Sequence, residues 1–160
     1  MMKHADLRFI FAHPAHLLAF GFGAGLAPKA PGTWGTLVAF PIYLALASLG
    51  TASYWGVVGL FLVAGIWICG KTGNALGVHD HGGIVWDEIA AFLMVLPFTH
   101  QNGWGFVLAF ALFRLFDIWK PFPIAWFDKR IEGGLGVMLD DVLAAIYAIA
   151  VLYLLNPWLT

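Results

Sequence analysis

Apolar residues fill five runs of 14 to 17 residues and leave only short polar links between them. The chain is 61% hydrophobic and 11% charged, and a soluble helical bundle with five such runs would have almost no wetted face. A bilayer solvates apolar helices directly. We therefore expect an all-α membrane protein, a compact bundle of about four or five short transmembrane helices that forms one domain over residues 1–160. The runs are Trp34–Leu49, Tyr54–Gly70, Ile84–Phe98, Trp104–Trp119 and Val142–Leu155.

A shorter apolar stretch, residues 17–26, precedes the first run. Glycines at 21, 23 and 25 weaken a helix there, which favours an interfacial or re-entrant segment. The alternative is a cleaved signal peptide, because Lys3 and Arg8 precede the stretch and small residues follow it. Pro28 and Pro31 crowd that supposed cleavage site and favour the first interpretation.

Basic residues collect at one end of the expected bundle. If all five runs cross, the links 51–53 and 99–103 carry no charge, and every lysine and arginine lies on or near the opposite face. The positive-inside rule predicts that this face is cytoplasmic. The net charge of −1 gives no reason to expect a nucleic-acid partner.

Carboxylates mark the same end of three runs. Asp87 and Glu88 begin the third run, Asp117 ends the fourth, and Asp140 and Asp141 precede the fifth. Carboxylates at this depth are costly unless they are paired, hydrated or bound to metal, and without a His/Cys cluster they suit Mg²⁺. Acids at helix starts are also stabilised by the helix dipole, so on spacing alone ligand and cap stay equal alternatives.

Three stretches offer groups that bind phosphate. In "FRLFDIWKPFP" Arg114 lies deeper than an interfacial ion pair needs, although Arg114, Asp117 and Lys120 also fit a stripe of ion pairs on one helical face. In "KRIEGGLGVMLDD" a glycine cluster lies between basic and acidic residues. It could form a loop that binds an anion through its backbone N–H groups, and the alternative is a loop that is only flexible.

The stretch "GLAPKAPGTWGT" combines Lys29 with Gly32, Thr33 and Thr36 near an expected helix start. Backbone N–H groups and hydroxyls at a helix start favour an anion. Cap and turn chemistry alone accounts for Thr36, so the lysine and the second threonine are what favour phosphate.

Read together, "GLAPKAPGTWGT", "HDHGGIVWDEIAAF" and "FRLFDIWKPFPIAWFDKRIEGGLGVMLDDVLA" resemble the phosphatidylglycerophosphatase A family, from about Phe20 to Ala150. The resemblance implies a small bacterial inner-membrane enzyme that hydrolyses phosphatidylglycerophosphate to phosphatidylglycerol and depends on magnesium. Ala91 and Ala145 stand where the family is expected to have glycine, and both keep a small side chain.

Position by position, the resemblance implies two sets of site residues. The acids would hold Mg²⁺, and all of them except Asp140 would be catalytic: Asp87, Glu88, Asp117, Asp140 and Asp141. The phosphate-binding set comprises basic residues, glycines and a threonine: Lys29, Gly32, Thr33, Arg114, Lys120, Arg130, Gly133 and Gly134.

Together, the residue pattern and the family resemblance predict a multi-pass, Mg²⁺-dependent lipid phosphatase of the bacterial inner membrane. Its active site would face the cytoplasm, and its phospholipid substrate would lie in the bilayer. The alternative is a small cation-conducting or transport subunit that uses the interfacial carboxylates, which should spread polar residues through the membrane's depth. A structural subunit would leave the Lys, Thr and Arg positions unexplained. A homo-oligomer is left open.

Overall fold

The computed structural model describes residues 5–155, and this part of the chain contains helices and no β-strand. Lys3 of the charge pattern lies outside the described residues. Short 3₁₀ segments cover Gly21–Leu26 and Leu96–Phe98. The α-helices are α1 (Leu7–Phe11), α2 (Pro14–Ala19), α3 (Pro31–Leu46), α4 (Thr51–Leu76), α5 (Trp86–Val95), α6 (Gly103–Trp119), α7 (Ile124–Asp128) and α8 (Gly133–Leu155).

Helix α5 lies at the centre of the molecule. Helices α3, α4 and α8 pack around it, and α8 also contacts α6 and α7. Nearly all of α5 is inaccessible, including Ile89, Phe92 and Leu93. A helix that is apolar on every side belongs inside a fold, so this third run forms the core of the bundle.

Two helices, α4 and α8, are long and apolar enough to cross a membrane. They have 26 and 23 residues, or about 39 Å and 35 Å at 1.5 Å per residue. Large apolar side chains such as Leu60, Val63 and Tyr153 point outward from them. Membrane association is therefore plausible from these helices, while α3 and α6 are shorter, with 16 and 17 residues.

The amino-terminal apolar stretch is a broken chain of helical turns. Phe22 and Gly23 take positive φ angles of 59° and 107° inside the 3₁₀ segment, which interrupts the helix as the glycines predict. The segment packs into the fold, since Ala19 accepts a backbone hydrogen bond from Val85 and Phe20 is fully buried. It is not a continuous span.

Helix α8 begins nine residues earlier than the apolar run predicted. The glycine cluster of "KRIEGGLGVMLDD" therefore forms the first turn of the helix, and Asp140 and Asp141 lie two turns inside it. The dipole-cap alternative accordingly fits Asp87 and Glu88, in the first turn of α5, but not the second acidic pair. Helix α6 ends at Trp119, where Lys120 takes a left-handed conformation with φ of 46°.

Candidate active site

A cluster of three carboxylates lies where α5 meets α8. Asp87 and Glu88 come from the first turn of α5 and Asp141 from α8, and one ligand oxygen from each lies within 4.8 Å of the others. Asp87 and Asp141 are 8% and 2% exposed, and the Glu88 side chain is 12% exposed. We call these three residues the acid cluster.

The acid cluster has oxygens without partners. Asp87 Oδ1, Glu88 Oε2 and Asp141 Oδ2 are buried and receive no hydrogen bond from the described residues. Buried carboxylates in this state repel one another and are poorly solvated, so they need a cation or protons. Three hard oxygen donors at this spacing could hold a divalent cation of the Mg²⁺ type.

Arg114 joins the acid cluster to α6. Its Nη1 lies 3.2 Å from Glu88 Oε1 and 2.5 Å from Asp117 Oδ2. The pairing of Arg114 with Asp117 is the spacing of three that the sequence suggested, and it keeps Asp117 outside the three-oxygen group. Arg114 Nε is buried without a partner, so the guanidinium retains a donor for an anion.

The amino end of α3 touches the same place. Gly32 is the second residue of α3, and a Cβ there would collide with Glu88 Oε1 and lie 3.0 Å from Arg114 Nη1 and Nη2. Thr36 Oγ1 donates a hydrogen bond of 2.8 Å to the Gly32 carbonyl, and Thr33 is half-buried. A helix start beside an arginine favours an anion.

Lys120 forms ion pairs with a second set of acids. Its Nζ lies 2.5 Å from Asp140 Oδ2 and 3.0 Å from Asp128 Oδ1. Burial lowers the pKa of the Lys120 ammonium, but the hydrogen bonds to Asp140 and Asp128 outweigh burial and raise that pKa above its ordinary value. Lys120 and Asp140 thus neutralise each other beside the acid cluster.

The remaining predicted phosphate ligands have other contacts. Lys29 is exposed at the rim of an apolar groove, and the Arg130 guanidinium lies 4.1 Å from the centre of the Trp126 ring. Gly133 and Gly134 start α8, and a Cβ on Gly134 would collide with the backbone carbonyl of Ile66 in α4. Gly134 therefore allows close packing of two helices.

Sequence reasoning did not find the pairings between distant positions. Glu88 meets Arg114 across 26 residues, and Lys120 meets Asp140 across 20. No local periodicity signals such pairs. The one sequence signal for these pairs was that charged residues of three apolar runs were expected at a similar depth in the membrane.

The match to known proteins decides the family. A family model described as Phosphatidylglycerophosphatase A matches residues 17–156. The chain belongs to this family. The family resemblance seen in the three sequence stretches is therefore confirmed.

Curated relatives of this phosphatidylglycerophosphatase A family member cover nearly the whole chain. A Haemophilus influenzae protein named phosphatidylglycerophosphatase A is 48% identical over 92% of this chain and 91% of its own length. An Escherichia coli protein of the same name is 42% identical over 96% of this chain and 92% of its own length. A Bacteroides thetaiotaomicron protein, provisionally named a phosphatidylinositol-3-phosphatase, is 41% identical over 82% of this chain and 87% of its own length. No solved structure matches the chain significantly.

Family membership makes the chain an enzyme, a phosphatase. The alternative of a cation-conducting or transport subunit receives no support from the family or from its relatives. Ala91 and Ala145, where family glycines were expected, are fully buried in the core, so small side chains are kept where they matter for packing.

Proposed function

We propose that this enzyme hydrolyses the terminal phosphomonoester of phosphatidylglycerophosphate, releasing phosphatidylglycerol and phosphate, with Mg²⁺ held by Asp87, Glu88 and Asp141. The observation that carries the proposal is the acid cluster with its three unpartnered oxygens. The names of the two phosphatidylglycerophosphatase relatives support the substrate.

Each group around the acid cluster has a distinct role in this proposal. Bound Mg²⁺ supplies a Lewis acid that polarises a phosphoryl oxygen and acidifies water. Arg114 donates hydrogen bonds to the phosphoryl oxygens through the donors that its ion pairs leave over. Asp117 fixes the guanidinium in place, and Gly32 leaves the space that a side chain would fill.

The reaction breaks the bond between phosphorus and the glycerol oxygen and forms one between phosphorus and an oxygen from water. The water loses a proton, and the leaving glycerol oxygen gains one. Negative charge grows on the leaving oxygen during this exchange. Arg114, which its ion pairs with Glu88 and Asp117 hold in place, stabilises that charge without reorganisation, and a divalent cation held by Asp87, Glu88 and Asp141 would add to the same electrostatic effect.

We further propose that the enzyme is a multi-pass protein of the bacterial inner membrane with this site at the cytoplasmic face. In this arrangement α3, α4, α6 and α8 cross around the outside of the bundle, and α5 with the 3₁₀ turn that follows it crosses at the centre. Lys71, Lys129 and Arg130 lie at the ends of elements that would share the cytoplasmic side, whereas the turns at 47–50 and 99–102 carry no charge.

Phosphate release from phosphatidylglycerophosphate in detergent micelles tests the activity, with Mg²⁺ and with a chelator. We expect turnover only with Mg²⁺. Asp87→Asn and Asp141→Asn remove the charge of one ligand each and should lower kcat at least 10²–10³-fold, as for other preorganised electrostatic groups. The matched control is Glu132→Gln, an exposed carboxyl group outside the cluster, which should retain activity.

Thermal unfolding of the same proteins separates chemistry from folding. Binding of Mg²⁺ to the native state should raise the Tm of the wild-type chain and shift that of Asp141→Asn less. Full turnover in both Asn variants, or in the presence of the chelator, would contradict the assignment of the metal site.

A further inference from the structure

An apolar groove runs along the outside of α3, away from the acid cluster. It has a volume of about 940 Å³ and lies between α3 and the amino-terminal segment. Its walls are apolar, and Lys29 is the one charged residue among those that line it. Representative lining residues are Leu7, Ala24, Leu26, Trp34, Leu37 and Pro41.

The groove and the acid cluster lie on two faces of the same helix. Trp34, Leu37 and Pro41 follow helical spacing along the groove. The other face of α3 carries Gly32, against Glu88 and Arg114, and Gly35, against Val85. The two faces meet at the amino end of α3, so a ligand that rounds this end touches both.

The groove covers most of the depth of one leaflet. Along α3 it extends from Trp34 to Pro41, a rise of about 10 Å at 1.5 Å per residue, against the ~15 Å of hydrocarbon in one leaflet of a ~30 Å core. The end beside Trp34 carries Lys29, and the walls beyond it are apolar. This order, a cation followed by an apolar wall, complements the phosphate and acyl chain of a phospholipid.

We infer that the groove binds an acyl chain of the phospholipid substrate and that Lys29 binds its phosphodiester phosphate. The inference rests on the proposed function and adds a second phosphate site to it. Phosphatidylglycerophosphate carries a phosphodiester and a phosphomonoester separated by one glycerol. Lys29 precedes Gly32 by three residues, a backbone reach of at most about 10 Å, so the two sites lie close enough for one headgroup.

In this inference Lys29 contributes to substrate specificity, because it binds the phosphodiester, and takes no part in breaking the phosphomonoester bond. A phosphomonoester that lacks the diester phosphate makes no contact with it. Product phosphatidylglycerol, which keeps the diester and the chains, occupies Lys29 and the groove but leaves Arg114 free. Inorganic phosphate binds at Arg114 and leaves Lys29 and the groove free.

Steady-state kinetics of Lys29→Met test the phosphodiester site. We expect KM for dioleoyl phosphatidylglycerophosphate to rise about tenfold with a smaller change in kcat, and competitive inhibition by phosphatidylglycerol to weaken about tenfold, the loss expected for one charge-assisted hydrogen bond. Inhibition by inorganic phosphate should not change. The matched control is Lys71→Met, a lysine that lies against Trp67 outside the groove.

Ala24→Phe tests the groove by filling it. We expect KM to rise for the dioleoyl substrate and to stay the same for the dihexanoyl substrate, whose chains are too short to reach the filled part. Leu44→Phe, at an exposed position of α3 outside the groove, should alter neither KM.

The outcomes separate this inference from the proposed function. No turnover of either substrate by the wild-type chain would contradict the proposed function and this inference with it. Wild-type turnover combined with an unchanged KM and unchanged phosphatidylglycerol inhibition in Lys29→Met would overturn the phosphodiester site alone. An equal effect of Ala24→Phe on both chain lengths would overturn the acyl site.

Discussion

Six carboxyl groups and two cations share a small volume at the end of the bundle. Arg114 pairs with Glu88 and Asp117, and Lys120 pairs with Asp128 and Asp140. With Asp87 and Asp141 also ionised, four negative charges would remain uncompensated. A divalent cation would remove half of that excess. Asp87 and Asp141 have no basic partner, and Glu88 keeps an unpartnered oxygen in the same three-residue group, which is the physical reason to propose the metal there.

Gly32→Ala should lower activity while the protein stays folded. The added methyl group collides with Glu88 Oε1 and crowds the Arg114 Nη atoms, which are the far ends of flexible side chains and can move. Moving them would displace the proposed metal ligand Glu88 and the proposed phosphate donor Arg114, so we expect kcat/KM to fall at least tenfold in the phosphate-release assay, because such sites tolerate shifts of much less than 1 Å.

Gly56→Ala is the matched control for Gly32→Ala. It adds the same methyl group to a helix at a position with no neighbour within 4 Å, and it should leave both activity and Tm nearly unchanged. A Gly32→Ala enzyme as active as the control would show that close approach of α3 to the acid cluster is unimportant.

Residue type and depth could be predicted from the sequence at this scale, but pairing could not. The acids of α5, α6 and α8 do come together, although those of α8 lie two turns inside the helix and not at its end, and Arg114 does face Asp117 one turn away. Asp140 and Asp141 are neighbours with different partners, because successive side chains on α8 diverge by about 100° and only Asp141 faces α5. Which of the two aspartates faces α5 depends on the rotation of α8 about its own axis. That rotation depends on packing against helices that are distant in the sequence.

At the scale of elements, α4 and α8 approach each other through glycine. Gly134 lies against the Ile66 carbonyl, and a Cβ on Gly65 would lie 2.5 Å from Met138 Sδ. Small residues let helices pack closely where lipid gives no hydrophobic drive for association. The close contact fixes the position of α8 and so the depth at which Asp141 meets α5.

Gly134→Ala should destabilise the fold. Its methyl group meets backbone, which cannot move aside as a side chain can, so α4 and α8 must separate. Overpacking of this kind costs about 1–3 kcal/mol. We expect a Tm several degrees below the wild-type value in detergent, with activity falling in parallel because Asp141 moves with α8.

Gly59→Ala on α4 provides the comparison, since nothing lies within 4 Å of the added methyl group. A Tm for Gly134→Ala equal to that of Gly59→Ala would mean that the α4–α8 contact is loose enough to absorb a side chain. That result would weaken the assignment of Gly134 to packing and favour the phosphate-binding role that the family resemblance implied.

Apolar runs located the helices but not their ends. Hydrophobicity reports burial or lipid contact, whereas the first turn of α8 is rich in glycine and packs closely against α4. For the same reason the short central α5 read like a membrane span. Its apolar surface faces other helices, and sequence cannot tell protein neighbours from lipid.

At the scale of the whole molecule, the direction of each helix orders the charges. The carboxyl ends of α4 and α6 and the amino ends of α3, α5 and α8 form one side, which carries Lys29, Lys71, Lys120 and the acid cluster. The opposite turns are uncharged. In the proposed topology, a phospholipid in the cytoplasmic leaflet would meet both the groove and the site from that side without crossing the bilayer.

Cysteine labelling of four turns in intact cells tests this orientation and the number of crossings. The chosen positions are exposed, and Cys69 is buried, so the unsubstituted chain serves as the blank. An impermeant maleimide added outside the inner membrane should label the turn after α3 and the first residue of α6. The turns before α5 and before α8 should react only after the membrane is permeabilised, because the positive-inside rule places them in the cytoplasm. The variants are Ser48→Cys, Gly103→Cys, Gly82→Cys and Glu132→Cys. Labelling of all four from outside, or of none, would contradict a bundle in which α3, α4, α5, α6 and α8 each cross the membrane.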